Sequence, residues 1–346
     1  MDKKFILGIT LGDLNGIGCE VILKTLSDNR LLEFCTPVIY GNVKVLSQHR
    51  KALNLQAFNL TTVKEGEKIQ PNSVNIINVW EEDVEVQFGI STEKSGKYAF
   101  QSLQAAVKDL KAGIIDGMVT APVNKRNIKS NEFPFNGQTE YLAQEAGMEA
   151  IMMLVSDSIK VGVVTNHVPL HEVTPLIKKE LIMKKILMMR NSLVKDFGYD
   201  RPKIAVLGLN PHAGDSGLIG NEELKEIIPA VQDAKSRNIL CYGPYSADGF
   251  FGSGHHLKFE GVLAMYHDQG LIPFKTLAFG NGVNFTANLP FVRTSPDHGT
   301  GFDIAGKGLA NEESFRQAVF TAVDILKNRS VHTENTSNPI QRGVKI

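Results

Sequence analysis

The chain has 346 residues, of which 42% are hydrophobic and 21% charged, a composition typical of a globular protein with one large or two medium domains. Its 37 basic and 37 acidic side chains cancel, which argues against a nucleic-acid surface or a polybasic membrane patch. Cys19, Cys35 and Cys241 form no CxxC pair, so a reducing compartment is favoured over a disulfide framework. No apolar run approaches the roughly 18 residues of a membrane span, and Asp13 interrupts the apolar N-terminal stretch too early for a secretory signal. We therefore expect a soluble, cytoplasmic protein.

Apolar runs alternate with helical patterns along most of the chain, which is typical of a mostly parallel sheet with crossover helices. In the N-terminal part the pattern predicts strands at residues 5–11, 36–40, 74–79 and 117–120. It predicts helices at residues 19–32 and 93–112, the second of them capped by Thr92.

Farther along, the pattern predicts a hairpin of strands at residues 151–155 and 161–165, then strands at 204–209 and 261–266. Helices are predicted at 180–197, 221–235 and 312–327, and a loose tail at 330–346. The helix at 180–197 is rich in methionine, which indicates either core packing or a subunit interface.

Two stretches between these elements have residue types suited to an anion. The loop GDLNGIG at residues 12–18 joins the first strand to the first helix, but it lacks the GxGxxG spacing of a Rossmann phosphate loop. It is either a binding loop or a tight turn that needs small residues. Thr139 has the position of a helix N-cap, which either only caps the helix or also binds an anion.

Three histidines each follow an apolar run of strand length. His167 follows VGVVTN, His212 follows IAVLGLN and a proline, and His267 follows GVLAMY. Because α/β proteins build their sites at the carboxyl ends of strands, we expect the three imidazoles to share one metal ion. Three imidazoles leave coordination positions free, as in catalytic zinc sites. The alternative is that each ring only caps its own strand by hydrogen bonding.

The three histidines are too far apart in sequence for a local zinc finger. Their spacing is compatible with three strands of one sheet, or with a site shared between subunits. His171, His255 and His256 follow no strand and are weaker candidates for metal ligands.

A second group of residues is suited to holding phosphate or carboxylate. After His267 the chain is expected to turn through Pro273 to Lys275. Arg293 and Lys307 lie among segments rich in Gly, Pro, Ser and Thr. Ammonium groups, hydroxyls and the fork of a guanidinium are the donors that such anions require. The alternative is a solvated loop with scattered charges.

Six segments of the sequence together resemble one enzyme family. They are residues 12–18 (GDLNGIG), 137–143 (GQTEYLA), 165–170 (TNHVPL), 208–214 (GLNPHAG), 264–270 (AMYHDQG) and 293–308 (RTSPDHGTGFDIAGKG). Over residues 5–327 the chain is similar to the 4-hydroxythreonine-4-phosphate dehydrogenases of the pyridoxal phosphate pathway.

The resemblance implies an α/β fold of two α/β/α domains with a cleft between them, like that of the isocitrate and isopropylmalate dehydrogenases and unlike a Rossmann fold. We place the first domain at residues 1–140 plus 300–346 and the second at 141–299, with most of the metal ligands and the dimer interface in the second. The resemblance also implies a homodimer whose metal site lies near the subunit interface.

The same resemblance implies an activity and the residues that support it. The expected reaction is oxidation of 4-phosphohydroxy-L-threonine by NAD or NADP with a divalent metal, followed by decarboxylation to 3-amino-2-oxopropyl phosphate. Zinc is the favoured metal, with magnesium, manganese and cobalt as alternatives. The implied metal ligands are His167, His212 and His267. The implied substrate contacts are Gln138, Thr139, Lys275, Asn284 and Arg293. The implied cofactor contacts are Asn281, Gly282, Val283, Asn284, Leu289 and Arg293.

We further expect Lys275 to transfer a proton and Asp248 or Asp268 to orient ligands or cofactor, with structural hydrogen bonding as the alternative for each aspartate. The family commonly carries His where this chain has Gln138, and glutamine keeps a donor and an acceptor but cannot carry a charge. A phosphorylated threonate or erythronate therefore stays open as the substrate. A three-histidine zinc hydrolase and a non-catalytic binding protein are the alternatives of other classes.

Overall fold

One continuous sheet runs through the described structure. A computed structural model describes residues 4–55, 59–64 and 66–337, and in these ranges twelve strands join in one sheet. The strands are β1 (Phe5–Thr10), β2 (Cys35–Gly41), β3 (Leu60–Thr62), β4 (Val74–Asn78), β5 (Gly117–Thr120), β6 (Ile151–Val155), β7 (Lys160–Val163), β8 (Ile204–Leu207), β9 (Cys241–Tyr245), β10 (Gly261–Ala264), β11 (Val283–Ala287) and β12 (Val292–Pro296). Their order across the sheet is β3-β4-β2-β1-β5-β12-β11-β6-β7-β10-β8-β9.

Successive side chains of a strand point to opposite faces of the sheet, so apolar side chains on each face need a packing partner. Helices cover both faces and provide it. In β6, Met153 packs in one apolar cluster while Met152 and Leu154 pack in another on the opposite face. None of the helices in the described ranges is long and apolar enough to span a membrane. The helices are α1 (Gly18–Leu26), α2 (Val43–Ala52), α3 (Glu93–Lys111), α4 (Lys125–Ile128), α5 (Gln138–Ala146), α6 (Leu170–Leu176), α7 (Lys179–Lys195), α8 (Ile228–Ser236), α9 (Ala247–Gly252), α10 (His267–Leu277) and α11 (Glu313–Ser337).

The middle of the sheet reverses the direction of its strands. The pairs from β3 to β12 are parallel, and so are the pairs from β7 to β9. Between these two groups, β11 is antiparallel to both β12 and β6, and β6 forms an antiparallel hairpin with β7. The two parallel groups therefore run in opposite directions. The prediction of a mostly parallel sheet with a hairpin at β6 and β7 is confirmed.

Two local predictions are wrong, and a third helix differs in its first turn. The stretch after His267 does not turn at Pro273, because Pro273 and Lys275 both lie inside α10. The residues from Ser330 to Ser337 continue α11 and do not begin a loose tail, and residues 338–346 lie outside the described ranges. The helix expected at 221–235 begins with a π-helical turn, Glu223–Ile227, before α8. The division into domains at 1–140 plus 300–346 and 141–299 stays a prediction.

The loop GDLNGIG is a tight, buried connection. All residues from Leu11 to Glu20 are buried. Gly12 has a φ of +67°, and a Cβ there would lie 2.3 Å from the carbonyl oxygen of Pro122. A Cβ at Gly16 would lie 2.6 Å from the carbonyl oxygen of Thr300. Small residues are therefore required by the close approach of the backbones, which supports the interpretation as a turn.

Gly96 in α3 lets that helix pack closely against α4, and we expect Gly96→Ala to destabilise the protein. At an exposed position inside a helix, replacing Gly with Ala stabilises the protein by up to about 1 kcal/mol. At Gly96 the new Cβ would lie 1.9 Å from the carbonyl oxygen of Asn127, so overpacking should win and lower the free energy of unfolding by about 1–3 kcal/mol. Denaturant melts measure it, with Gly249→Ala as the control, because nothing lies within 4 Å of a Cβ at that helical glycine. Equal effects of the two changes would contradict the prediction.

Candidate active site

A cleft on one face of the sheet brings together five of the residues predicted from sequence. Its volume is about 460 Å³. The predicted residues that line it are His167, His267, Asp268, Lys275 and Asn284. The other polar residues of the wall are Lys125, Asp297 and His298, and its apolar residues include Met152, Leu154, Leu271 and Ile272. Cations, imidazoles and carboxylates therefore surround one space that is large enough for a small metabolite.

Two of the three predicted metal ligands face each other in this cleft. His167 follows β7 and His267 begins α10, and their ring centroids lie 5.5 Å apart. Each ring also has a carboxylate at its Nδ1 atom. The Oδ1 atom of Asp268 lies 2.6 Å from Nδ1 of His267, and Oε1 of Glu140 lies 3.5 Å from Nδ1 of His167. Such carboxylates orient an imidazole and leave Nε2 available for a ligand.

His212 is presented separately, by an unusual left-handed turn after β8. Five consecutive residues from His212 to Ser216 have φ between 41° and 78°. Each non-glycine residue in this conformation costs about 1–2 kcal/mol, so the surrounding structure must hold the turn in place. Hydrogen bonds from the Ser246 hydroxyl and the Gly249 amide lower the pKa of Asp248, and the charge of nearby His212 adds to this effect.

Within one chain the three histidines do not form a metal site. Among the described residues, no group of three or more His, Cys, Asp or Glu side chains is arranged to hold a metal ion. His167 and His267 are paired in the cleft, while exposed His212 does not belong to its wall. The described part of one chain thus provides two imidazoles with oriented rings, and His212 does not lie beside them.

Arg293 in β12 is a buried cation that lacks a carboxylate partner among the described residues. Its side chain donates from Nε and Nη2 to the hydroxyl of Thr120 at 3.0 and 2.6 Å, and from Nη1 to Thr286 at 3.0 Å. Burial lowers the pKa of Arg293 to about 10. Thr286 is two residues from Asn284 on β11, so the guanidinium lies on the face of the sheet that carries the cleft. A buried guanidinium held only by hydroxyls is suited to bind an anionic ligand.

Several buried polar atoms in or near the cleft have no hydrogen-bond partner in the part of the chain that the structure describes. They are Oε1 of Gln138, Oε2 of Glu140, Oδ1 of Asn166, Oδ1 of Asn284 and Nε2 of His298. Gln138 is fixed in one orientation because its Nε2 donates to the carbonyl of Ala121 at 3.1 Å, which leaves its oxygen as a free acceptor. Unpaired buried groups are costly, so their concentration here indicates a surface prepared for a polar ligand.

Lys275 and Asp297 form part of the wall between this cleft and a second cavity of about 500 Å³. Nζ of Lys275 lies 3.3 Å from the carboxylate of Asp297 and donates to its carbonyl at 3.1 Å. Burial raises the pKa of Asp297 and lowers the pKa of its neighbour His298. Lys275, Asp297, His298 and Gly299 line both cavities. Two ligands in these cavities would therefore meet at a wall that carries titratable groups.

The other predicted site residues are spread around these cavities. Gly282 lines the second cavity, while Asn281 and Val283 line a third one of about 300 Å³. Leu289 is buried in an apolar cluster. The prediction that Thr139 caps α5 is wrong, because Gly137 is the N-cap and Thr139 lies within the first turn.

Sequence reasoning missed four polar groups that the fold brings to the cleft or beside it, namely Lys125, Glu140, Asp297 and His298. Glu140, Asp297 and His298 stand inside the segments that carried the resemblance, so their position in those motifs was the available signal. Their neighbours in space come from other elements. Glu140 meets His167, and Asp297 meets Lys275, and neither pairing has a local sequence pattern.

A sheet covered by helices, with a cleft that holds imidazoles, an ammonium group and a nearby buried guanidinium, is typical of an α/β enzyme with a site suited to a small anionic molecule. The model of the family "Pyridoxal phosphate biosynthetic protein PdxA" matches residues 33–322. The chain therefore belongs to the PdxA family, the 4-hydroxythreonine-4-phosphate dehydrogenases, and is an oxidoreductase.

Individual relatives agree with this assignment. A protein of Bacteroides thetaiotaomicron named 4-hydroxythreonine-4-phosphate dehydrogenase is 49% identical over 343 residues, which are 99% of this chain and 94% of that protein. A protein of Oceanobacillus iheyensis, provisionally named as a D-threonate 4-phosphate dehydrogenase, is 39% identical over 331 residues, 94% of this chain and 99% of its own length.

Solved structures confirm the predicted fold. The crystal structure of 4-hydroxythreonine-4-phosphate dehydrogenase from Klebsiella pneumoniae has a TM-score of 0.80 at 33% identity, covering 93% of this chain and 98% of that one. Isocitrate dehydrogenase from Methylococcus capsulatus has a TM-score of 0.51 at 12% identity, covering 94% and 87%, which shows a shared fold alone. The prediction of an isocitrate dehydrogenase-like α/β fold is therefore confirmed.

Proposed function

We propose that this chain oxidises 4-phosphohydroxy-L-threonine with NAD or NADP and a divalent metal, and that the product then loses carbon dioxide to give 3-amino-2-oxopropyl phosphate. The C3–H bond delivers its hydride to the cofactor while the C3 hydroxyl loses its proton, which gives a ketone at C3. The C1–C2 bond then breaks, carbon dioxide leaves, and the electron pair left at C2 takes up a proton, so that the two steps together consume as many protons as they release. The observation that carries this proposal is the buried, hydroxyl-held guanidinium of Arg293 beside a cleft with two carboxylate-oriented imidazoles.

The anionic ends of the substrate would be held by groups around Arg293. The guanidinium forms the fork that phosphate and carboxylate oxygens prefer. Lys275 adds an ammonium, and the free amide oxygen of Gln138 can accept from the substrate's ammonium or a hydroxyl. The first turn of α5, with Thr139 and backbone amides, and Asn284 would complete this part of the site.

The residues present in one chain fit a metal only in part, so we infer that a second copy completes the site. His167 and His267 are oriented for metal binding, and His212 lies on an exposed turn. Leu218, just after that turn, is 80% exposed, and Ile272 at the cleft is 65% exposed, which favours a subunit interface here. When bound, a zinc or similar ion supplies a Lewis acid that lowers the pKa of a hydroxyl group.

The nicotinamide cofactor would occupy the second cavity, beside the segment from Asn281 to Asn284. Because this cavity shares a wall with the cleft, a nicotinamide ring there would lie next to the carbon that gives up hydride. Lys275 in that wall is the proposed proton carrier, paired with Asp297. Asp268 would orient the His267 ring, and Asp248 would orient the metal ligand His212.

A related substrate, D-threonate 4-phosphate, is the second candidate. Two observations favour keeping it: Gln138 is uncharged, and a relative of similar length carries that provisional name. Both substrates offer a phosphate, a carboxylate and a hydroxyl, so the same residues would bind either one. A zinc hydrolase would instead act without a nicotinamide cofactor.

We expect the purified protein to reduce NAD or NADP when 4-phosphohydroxy-L-threonine is added, and to lose this activity when a chelator removes the metal. Absorbance at the wavelength of reduced nicotinamide measures it, and added zinc, manganese or cobalt should restore it. D-threonate 4-phosphate is tested in parallel. If neither substrate produces reduced cofactor in the presence of metal, the dehydrogenase proposal is rejected.

A further inference from the structure

The turn that carries His212 needs an anchor, because its backbone is in an unfavourable conformation. Within the turn, backbone hydrogen bonds join the Ala213 amide to the Asn210 carbonyl at 3.1 Å and the Ile219 amide to the Gly214 carbonyl at 3.0 Å. Local bonds of this kind do not by themselves favour left-handed residues. Some contact from outside the turn must therefore select this conformation.

The carboxylate of Glu223 makes that contact. Its Oε1 atom accepts hydrogen bonds from the backbone amides of Leu209 and Asn210, both at 2.7 Å, and its Oε2 accepts from the side-chain amide of Asn210 at 2.9 Å. The side chain is 2% exposed, and no cation pairs with it among the described residues. A buried carboxylate whose hydrogen bonds, in the described ranges, all come from amides of one loop is placed to fix that loop.

The packing around Glu223 is equally specific. A Cβ at Gly208 would lie 3.2 Å from Oε1, and a Cβ at Gly214 would lie 2.6 Å from Oε2. The carboxylate thus fills the space under the turn, and glycine at 214 avoids a collision with it. Glu223 itself begins a π-helical turn, a feature that is rare and often found at functional sites.

A second contact links this loop to the helix that carries His267. Nε2 of Gln269 donates to the carbonyl of Gly208 at 2.6 Å, and Oε1 of Gln269 accepts from the amide of Met265 at 2.7 Å. The segments before His212 and around His267 are therefore joined through one side chain. Glu223 and Gln269 together fix the start of the turn from two sides.

We propose that Glu223 is a positioning residue that holds the left-handed turn and so presents His212 for metal binding. The claim that His212 binds metal rests on the proposed function. The claim that Glu223 holds the turn rests on the hydrogen bonds of Glu223 and is independent of the proposed function.

Three variants test the proposal. Glu223→Ala removes the anchor. Glu223→Gln keeps an oxygen that can accept from both backbone amides, and the side-chain amide of Asn210 keeps its second acceptor, Oε2 of Glu222 at 2.8 Å. Glu226→Ala is the matched control, because Glu226 lies on the same π-helical turn and accepts from a backbone amide, that of Lys179 at 2.8 Å, outside the His212 turn.

Hydrogen–deuterium exchange of the metal-free protein is the first measurement. In Glu223→Ala the amides of Leu209 and Asn210 should exchange faster by about tenfold or more. The amide of Gly208 should change little, because it donates to the carbonyl of Tyr245 at 2.8 Å. Glu223→Gln should recover most of the protection and Glu226→Ala should resemble the wild type. Unchanged exchange in Glu223→Ala would overturn the proposal.

Zinc affinity, measured by competition with a chromophoric chelator on folded protein, is the second readout. We expect Glu223→Ala to weaken it by about 10- to 100-fold, with recovery in Glu223→Gln. Faster exchange with wild-type zinc affinity would refute a role in presenting His212. If the wild type binds neither zinc nor manganese, cobalt or magnesium in the same assay, the metal part of the proposed function fails, while the exchange data still decide whether Glu223 holds the turn.

Discussion

Replacing Arg293 with methionine should nearly abolish catalysis while leaving the protein as stable as before. We expect kcat/KM to fall by roughly a hundred- to several-thousand-fold, because truncating a buried partner of a ligand charge costs about 3–5 kcal/mol. The guanidinium is 3% exposed, and within the described ranges its hydrogen bonds go to Thr120 and Thr286. A buried charge without a carboxylate partner is unfavourable in the free protein. Methionine should therefore either raise the free energy of unfolding or change it by less than about 1 kcal/mol.

Arg316→Met is the matched control for this experiment. Arg316 on α11 pairs with Glu313 of the same helix at 2.8 Å and with Glu312, just before the helix, at 2.6 Å. Its loss should leave kcat/KM unchanged and lower the free energy of unfolding by up to about 1 kcal/mol. Steady-state kinetics and denaturant melts measure both quantities. If Arg293→Met unfolds the protein and the folded fraction keeps full kcat/KM, Arg293 is a structural residue and not a ligand for the substrate.

Single alanine variants of His167, His212 and His267 should each lose metal and activity, and mixed dimers should show how the site is shared. Suppose that each site takes two histidines from one subunit and the third from its partner. A mixed dimer of two variants then keeps one intact site only when one variant lacks a histidine of the pair and the other variant lacks the third histidine. Two of the three variant pairs should then recover activity, up to about one quarter of the wild type in a random mixture. The pair that does not recover identifies the two histidines of one subunit.

The mixing experiment requires unfolding and refolding of the mixed variants, or their co-expression, so that subunits exchange. His171→Ala serves as the control, since this exposed imidazole lies next to Glu172 and outside the cleft. It should keep metal content and activity alone and in mixtures. Recovery in none of the three pairs, with each single variant inactive, would mean that all three ligands come from the same chain.

Much of the fold could be predicted because it depends on short-range patterns. The strand at residues 117–120 and the hairpin of β6 and β7 follow from apolar runs, and Thr92 caps α3 as predicted, accepting from the Ser95 amide at 3.1 Å. Predictions failed where a local signal competed with a longer pattern. Pro273 is accommodated inside α10, and polar residues continue α11 past Ser330.

Predictions for the site divide in a similar way. His167 and His267 were found from their positions after strands, and they meet in the cleft. The pairing of His167 with Glu140 was not predictable, because it depends on how α5 packs against the segment after β7. The left-handed turn at His212 has no local signal either, since the group that holds it, Glu223, follows in another element.

The sequence by itself determined the alternation of strands and helices, the family, and the imidazoles that stand at strand ends, because hydrophobic period and motif order are properties of neighbouring residues. Only the tertiary structure decided which charges meet. Arg293 reaches Thr120 across 173 positions of chain and is buried without an ion-pair partner among the described residues, while His212 remains apart from the other two histidines. These features depend on burial and on distances between remote segments, and both arise only when the sheet is assembled.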